Sequence, residues 1–302
     1  RIDKIGGFKD RKGAIHMSYT AQDIRNICLI GHGNNGKTSL AESMLFCTGA
    51  IDRMGKVAEG TTVCDYDAEE TSRQITISTA VAPISFNGMK INEYGDRDRP
   101  HILLIHGMWM CHEMMLPYVA SFKDDYHIIA PDLTGHGDDK GQFLSAESDS
   151  EEIASWLLSN GISEIDLMFS SSLGGVVAMY LATSQKNIHV KCNVMEGASL
   201  TRVPPAEPVF RIMMNGIRKH PEKISQMYAS MPMTDSSIQN KLYNAMKRTD
   251  KQALRNMVHT CNSFDFENRP LEVQTQRTLI FEFGSRDSHI VCKKDIKKYY
   301  PG

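Results

Sequence analysis

Between Glu164 and Leu181 the spacing of apolar positions changes period within a few residues. Ile165 to Phe169 is a short, mostly apolar run, the mark of a buried strand. It breaks into Ser170-Ser171-Ser172-Leu173-Gly174-Gly175. Leu173, Val176, Val177, Tyr180 and Leu181 then recur at helical spacing. A strand that bends at once into a helix, with a serine at the bend, predicts that the Ser172 hydroxyl is displayed at the strand's end. The unpaired N–H groups that open the helix would lie beside it.

The same reading extends along the chain. His101–Ile105, the run in "HIIAPDLTGHGDD", "HVKCNVMEGAS" with Glu196 at its C-terminal end, and Leu279–Phe283 read as further strands. "LPYVASFKDDY" and "SDSEEIASWLLSNGI" read as helices, the second capped near Asp149 or Ser150 and closed by Gly161. Alternating strands and helices predict an α/β fold with a doubly wound, mostly parallel sheet, whose ligands gather beyond the C-terminal strand ends. Pro204 to Phe266 breaks the alternation. It is helical in pattern and holds Met213, Met214, Met227, Met231, Met233, Met246 and Met257. For each methionine, core filling and an adaptable pocket wall are both open readings.

Composition narrows the function classes. A chain of 302 residues holds one large or two ordinary domains, and 41 % apolar with 23 % charged residues is a globular balance. A net charge of −2 gives no electrostatic case for a nucleic-acid or membrane partner, and no apolar run is long enough for a transmembrane span. Residues 1–16 read as a flexible leader without the apolar segment of a secretory signal. The seven cysteines are scattered with no C-x-x-C, which predicts free thiols in a reducing cytoplasm and no zinc site.

A second motif precedes the sheet pattern. Ile27–Ile30 reads as a buried strand, Gly31-His32-Gly33-Asn34-Asn35-Gly36-Lys37-Thr38 is a full G-x-x-x-x-G-K-[ST], and a helical pattern runs on to Gly49. In such a P-loop the backbone at Gly31, Gly33, Asn34, Asn35 and Gly36 would wrap a phosphate. Lys37 would supply a point charge and the Thr38 hydroxyl a Mg²⁺ ligand. Residues 17–88 go further. "GHGNNGKTSL", "GKVAEGTTVCDYDAEE" and "SRQITIST" resemble the start of the GTP-binding domain of elongation factor G and its relatives. The resemblance implies GTP with Mg²⁺, and makes Thr76 the threonine that closes on the metal. Gln74 stands where the family has glycine. After about 70 residues the resemblance stops: the D-T-P-G-H segment and N-K-x-D are missing. Asp132-Leu133-Thr134-Gly135-His136 lies too far on to replace the first.

From Met89 the chain resembles an α/β-hydrolase, and residues 89–302 are expected to form that core, truncated at its C-terminal end. "KINEYGD" would be its opening hairpin and His106-Gly107-Met108 its oxyanion loop, with the Met108 and Leu173 N–H groups as donors. "PDLTGHG" would be a structural loop holding Asp132 and His136, and about 204–266 the helical cap. Ser172 would be the nucleophile, with Ser170 replacing the first glycine of G-x-S-x-G. Gly284-Ser285-Arg286-Asp287 matches the family's G-x-x-D, which makes Asp287 the acid and Glu196 the alternative. The base is the gap. A helix and a strand should separate the acid from the histidine loop, roughly 20 residues, and fewer follow Asp287. His289 is too close in sequence to Asp287, and His259 falls in the cap.

Three readings result. The first is a serine hydrolase acting on a small ester-like molecule without a cofactor, impaired by the missing histidine. The second is a GTP-binding fragment with Mg²⁺ at Thr38 and Thr76. The third is a chimera of two fragments in which neither function works.

Overall fold

Apolar strands that are buried on both faces must be covered by helices, and this dictates the architecture around the serine-rich bend. The computed structural model describes residues 26–48, 50–84, 88–198, 200, 207–223, 235–264, 278–283 and 292–299. The chain divides into two compact units, Arg1–Phe86 and Asn87–Gly302.

The second unit carries one six-stranded sheet. Its strands are β1 (Ile91–Tyr94), β2 (His101–Ile105), β3 (His127–Pro131), β4 (Glu164–Ser171), β5 (His189–Glu196) and β6 (Thr278–Glu282). Their order is β1-β3-β2-β4-β5-β6, with β1 antiparallel to β3 and every other pair parallel. "KINEYGD" is therefore not a hairpin. Its strand adds to the sheet edge at β3, because the buried run His127–Pro131 needs a neighbour on its outer side. The segment "LPYVASFKDDY" is a 3₁₀ helix over Leu116–Phe122 with Pro117 in its first turn, rather than an α-helix.

Helix α3 (Ala146–Ser159) packs against α4 (Leu173–Ser184). The α3 cap is Ser145, whose hydroxyl accepts the Ser148 N–H at 3.1 Å, and not Asp149 or Ser150. Asp149 lies one turn in, buried, where it accepts from the Thr134 hydroxyl at 2.7 Å. Gly161 follows the helix at φ 75°, the left-handed closure its position predicts. Helix α4 is buried on nearly all sides, with only Tyr180 and Ser184 outside the buried set, so its amphipathic spacing understates its burial. The largest apolar cluster joins Leu103, Ile105, Ile129, Ile165 and Met168 of the sheet to Val176, Val177 and Leu181 of α4.

Beyond β5 come α5 (Glu207–Arg218), α6 (Ser236–Arg248) and α7 (Lys251–Asn262). Met246 and Met257 are buried there, Met214 is half-buried and Met213 is exposed. Met227, Met231 and Met233 lie outside the described residues. The last helix, α8, runs Lys293–Tyr299. Among the described residues, no helix is long and apolar enough to cross a membrane.

The first unit holds α1 (Lys37–Cys47) and α2 (Ala68–Arg73). Ile27–Ile30 does not form the expected strand, and Ile27 and Ile30 are 65 % and 86 % exposed. A strand needs a neighbour for its N–H and C=O groups, and none of the described residues pairs with this one.

Candidate active site

Parallel pairing brings three strand ends together. Ile105 of β2 is in register with Ser170 of β4, and Ser171 with Glu196 of β5. Ser172 follows directly at φ 51°, ψ −116°, a sparsely populated conformation that its surroundings must hold in place. Its N–H donates to the Glu196 carbonyl oxygen at 2.9 Å, and its own carbonyl accepts the Gly175 N–H at 3.0 Å. The bend is thus tied to the neighbouring strand on one side and to the start of α4 on the other.

Glycines allow the close approach. A Cβ on Gly174 would sit 2.4 Å from the carbonyl oxygens of Ile105 and His106, and one on Gly175 would meet the Ala198 Cβ at 2.6 Å. Helix α4 therefore begins directly against the end of β2. A Cβ on Gly107 would lie 3.2 Å from that of Ser172, so the loop after β2 abuts the bend. Ser170 replaces glycine without clash: it is buried, and its hydroxyl donates weakly to the Val194 carbonyl at 3.4 Å.

The Met108 and Leu173 N–H groups flank this bend. Among the described residues neither has an acceptor, while Leu173 stands at the first position of α4. Free N–H groups at a helix start, beside a strained serine, are the means of stabilising an oxyanion.

His106 is not a base. It is fully buried, its Nε2 accepts the Leu133 N–H at 3.0 Å, and its Nδ1 therefore carries the proton donated to Gly107 O at 2.8 Å. Burial holds this imidazole neutral by lowering its pKa. His136 packs beside it with ring centroids 5.3 Å apart, and burial lowers its pKa to about 3. Asp132 is buried in the same loop. It accepts the His112 and Asp138 N–H groups at 2.9 and 3.2 Å, and its carboxylate is a structural acceptor. Asp132 thus has the loop role its motif suggested.

His112, Glu113 and Asp132 offer ligand atoms within 4.8 Å of one another. All three are already paired. His112 Nδ1 pairs with Asp132 Oδ1 at 2.9 Å, and the Lys241 ammonium bonds to Glu113.

The structure brings Ser172, Met108, Leu173 and Glu196 to one rim. Asp287 and His289 lie outside the described residues. His259 is on α7, largely exposed and paired with Glu207 at 3.1 Å. Among the described residues, no imidazole hydrogen-bonds to Ser172.

Two features of the rim have no sequence signal. Trp109 follows the Met108 amide at φ 56° and is buried, with its indole N–H donating to Thr249 at 3.2 Å. Tyr118 stacks on Phe169 at 4.9 Å between centroids; desolvation and the Glu196 carboxylate raise its pKa.

In the first unit the loop Gly31–Gly36 bends through Asn34 and Gly36, both at positive φ. Lys37 Nζ donates to the Gly31 and His32 carbonyls at 2.9 and 2.7 Å. The Thr38 and Thr76 hydroxyls are 2.9 Å apart, and Thr76 donates to Asp65 at 2.6 Å. Gln74 adopts the left-handed conformation, φ 55°, at the position where the resemblance expects glycine.

Residues 102–295 match the model of the alpha/beta hydrolase family, and residues 22–139 match that of the elongation factor Tu GTP binding domain. The two matches overlap over 102–139, where the residues build β2 and β3 of the second unit's sheet. The elongation factor G-like protein of Mycobacterium tuberculosis is 42 % identical over 69 residues, 23 % of this chain and 10 % of that protein. Elongation factor G 2 of Hahella chejuensis is 42 % identical over 71 residues, 24 % and 10 % of the two chains. The chain thus spans about a tenth of the length of these relatives. Among solved structures, one of the carboxylesterases of Nitrososphaera gargenis aligns with a TM-score of 0.54 at 14 % identity, covering 70 % of this chain and 82 % of that one. A bacterial membrane phospholipase A aligns with a TM-score of 0.55 at 17 % identity, covering 70 % and 71 %. At these identities the likeness is one of fold.

Proposed function

Since the chain belongs to the alpha/beta hydrolase family, we propose that its second unit is a serine hydrolase of small carboxylic esters. Ser172 is the nucleophile, and the Met108 and Leu173 N–H groups form the oxyanion hole. The observation that carries this reading is Ser172 at φ 51°, followed by the Leu173 N–H without an acceptor and with Gly107, the residue before Met108, packed against its side chain. The Ser172 oxygen attacks the ester carbonyl and its proton leaves to water. The carbonyl oxygen gains negative charge against the two N–H groups, the adduct collapses to acyl-Ser172 as the alkoxide leaves with a proton from water, and a second water then hydrolyses the acyl group to the acid and frees Ser172. Asp287 remains the acid that the sequence suggests, with Glu196 the alternative. Without an imidazole bonded to Ser172, turnover would rest on binding and the oxyanion donors alone. The test is hydrolysis of p-nitrophenyl butyrate by the chain and by Ser172→Ala. The reading expects at least a tenfold loss, and equal rates remove it.

A second reading is supported by the 2.9 Å approach of Thr38 to Thr76. These hydroxyls, with Asp65 beside them, are the hard oxygen donors that suit Mg²⁺, and the loop Gly31–Gly36 would hold the phosphates of GTP. The bound metal would neutralise phosphate charge. Lys37 would orient the phosphates after leaving its present carbonyl partners. The exposed segment Ile27–Ile30 weighs against tight binding, because among the described residues no strand pairs with it to steady the loop. If neither site works, the chain is an inactive chimera.

A further inference from the structure

A shallow pocket of about 160 Å³, open to solvent, lies between α5 and α7 and is lined by Arg211, Ile212, Asn215, Lys251, Leu254 and Arg255. None of the residues around Ser172 takes part. Arg211, Lys251 and Arg255 carry no hydrogen bond or ion pair among the described residues. Nearby groups are differently placed. Glu207 pairs with His259, and Asp250 accepts the Ala253 N–H. Arg218 donates to the Thr249 carbonyl at 3.2 Å and to Asn215 Oδ1 at 3.2 and 3.3 Å. With Oδ1 taken by Arg218, Asn215 has its NH₂ left to offer. Among the described residues, every polar lining group is thus a donor, and no carboxylate lines the pocket.

Three uncompensated cations around one concavity repel each other, and Lys251 and Arg255 do so at the i, i+4 spacing of one helix. An anion relieves that repulsion. Two guanidinium groups suit paired oxygens, and three positive charges match a dianion better than a monocarboxylate. Ile212 and Leu254 add an apolar wall, and Leu254 belongs to the cluster around Trp109. We propose that this pocket binds a phosphate monoester, its phosphoryl oxygens on Arg211, Lys251 and Arg255 and its organic group on Ile212 and Leu254.

The test is calorimetric titration of the full chain carrying Lys37→Ala, which silences phosphate binding at the glycine loop. The ligands are hexyl phosphate, hexanoate, and phosphatidylcholine vesicles with and without phosphatidic acid, all at one ionic strength. The proposal expects saturable binding of hexyl phosphate, at least tenfold weaker binding of hexanoate, and a further tenfold loss on adding Arg211→Gln and Arg255→Gln. Lys251→Gln, read alone, should weaken binding in the same direction with the fold intact by circular dichroism. Binding of phosphatidic acid vesicles beside hexyl phosphate places the ester on a lipid; hexyl phosphate alone places it on a soluble molecule. An unchanged Kd in the arginine variants, or no heat from hexyl phosphate up to about 10 mM, a Kd too weak to matter, overturns the site.

Discussion

The Ser172 N–H donates to the Glu196 carbonyl oxygen at 2.9 Å, so the residue after β4 is pinned to the last residue of β5. This bond, the Gly174 contact with β2 and the helix that starts at Leu173 together fix a backbone conformation that serine rarely adopts. A strained residue held from three sides is what a displayed hydroxyl requires.

Relieving that strain separates stability from function. Glycine at position 172 adopts φ 51° freely, and the residue's conformational cost of roughly 1–3 kcal/mol falls away, partly offset by glycine's greater freedom when unfolded. Ser172→Gly should therefore unfold at higher denaturant, by about 1 kcal/mol, while losing ester hydrolysis. A destabilised variant would mean that the conformation is not strained.

Asp149 sets a pH dependence. Desolvation pushes its pKa up to about 7, against the opposing hydrogen bonds from Thr134. Between the ordinary carboxylate pKa and about 7 the folded chain holds a proton that the unfolded chain has released. This contribution is complete at low pH and is lost as pH rises through about 7, with a slope of at most about 1.4 kcal/mol per pH unit. Denaturation of Asp149→Asn from pH 5 to 8 should show a smaller fall than the parent chain. Parallel curves would remove the assignment.

The loop before α1 predicts a nucleotide response that Lys37 controls. A fluorescent GTP analogue with Mg²⁺ should bind the chain, and Lys37→Ala should weaken it at least tenfold, since a charged contact to phosphate is lost. Absence of binding at about 100 μM nucleotide, a free energy of only some −5 kcal/mol, rules this reading out.

Much of the sheet was legible because its strands are rich in apolar residues, unbroken over residues 102–105 and 128–130. His101–Ile105 is β2 as read, and Leu279–Phe283 is displaced by one residue. The bend at Ser172 was legible because the period changes there from strand to helix. The Ile27–Ile30 strand failed because an apolar run reports affinity for a sheet, while a strand exists only where another backbone pairs with it. "KINEYGD" failed for a related reason: local turn chemistry suggested a hairpin, but β3 offered a longer partner. The positive φ of Trp109 and the contact of Tyr118 with Glu196 arise from residues far apart in sequence, and no spacing encodes them. The cation-lined pocket is likewise a product of two helices meeting.

The most direct test of the account is covalent trapping. The full chain is incubated with a fluorophosphonate ester, digested and analysed by mass spectrometry, with Ser172→Ala as the control. The account predicts one phosphonyl adduct, on the peptide containing Ser172, and none in the variant. An adduct on another serine, or labelling that persists in Ser172→Ala, would contradict it.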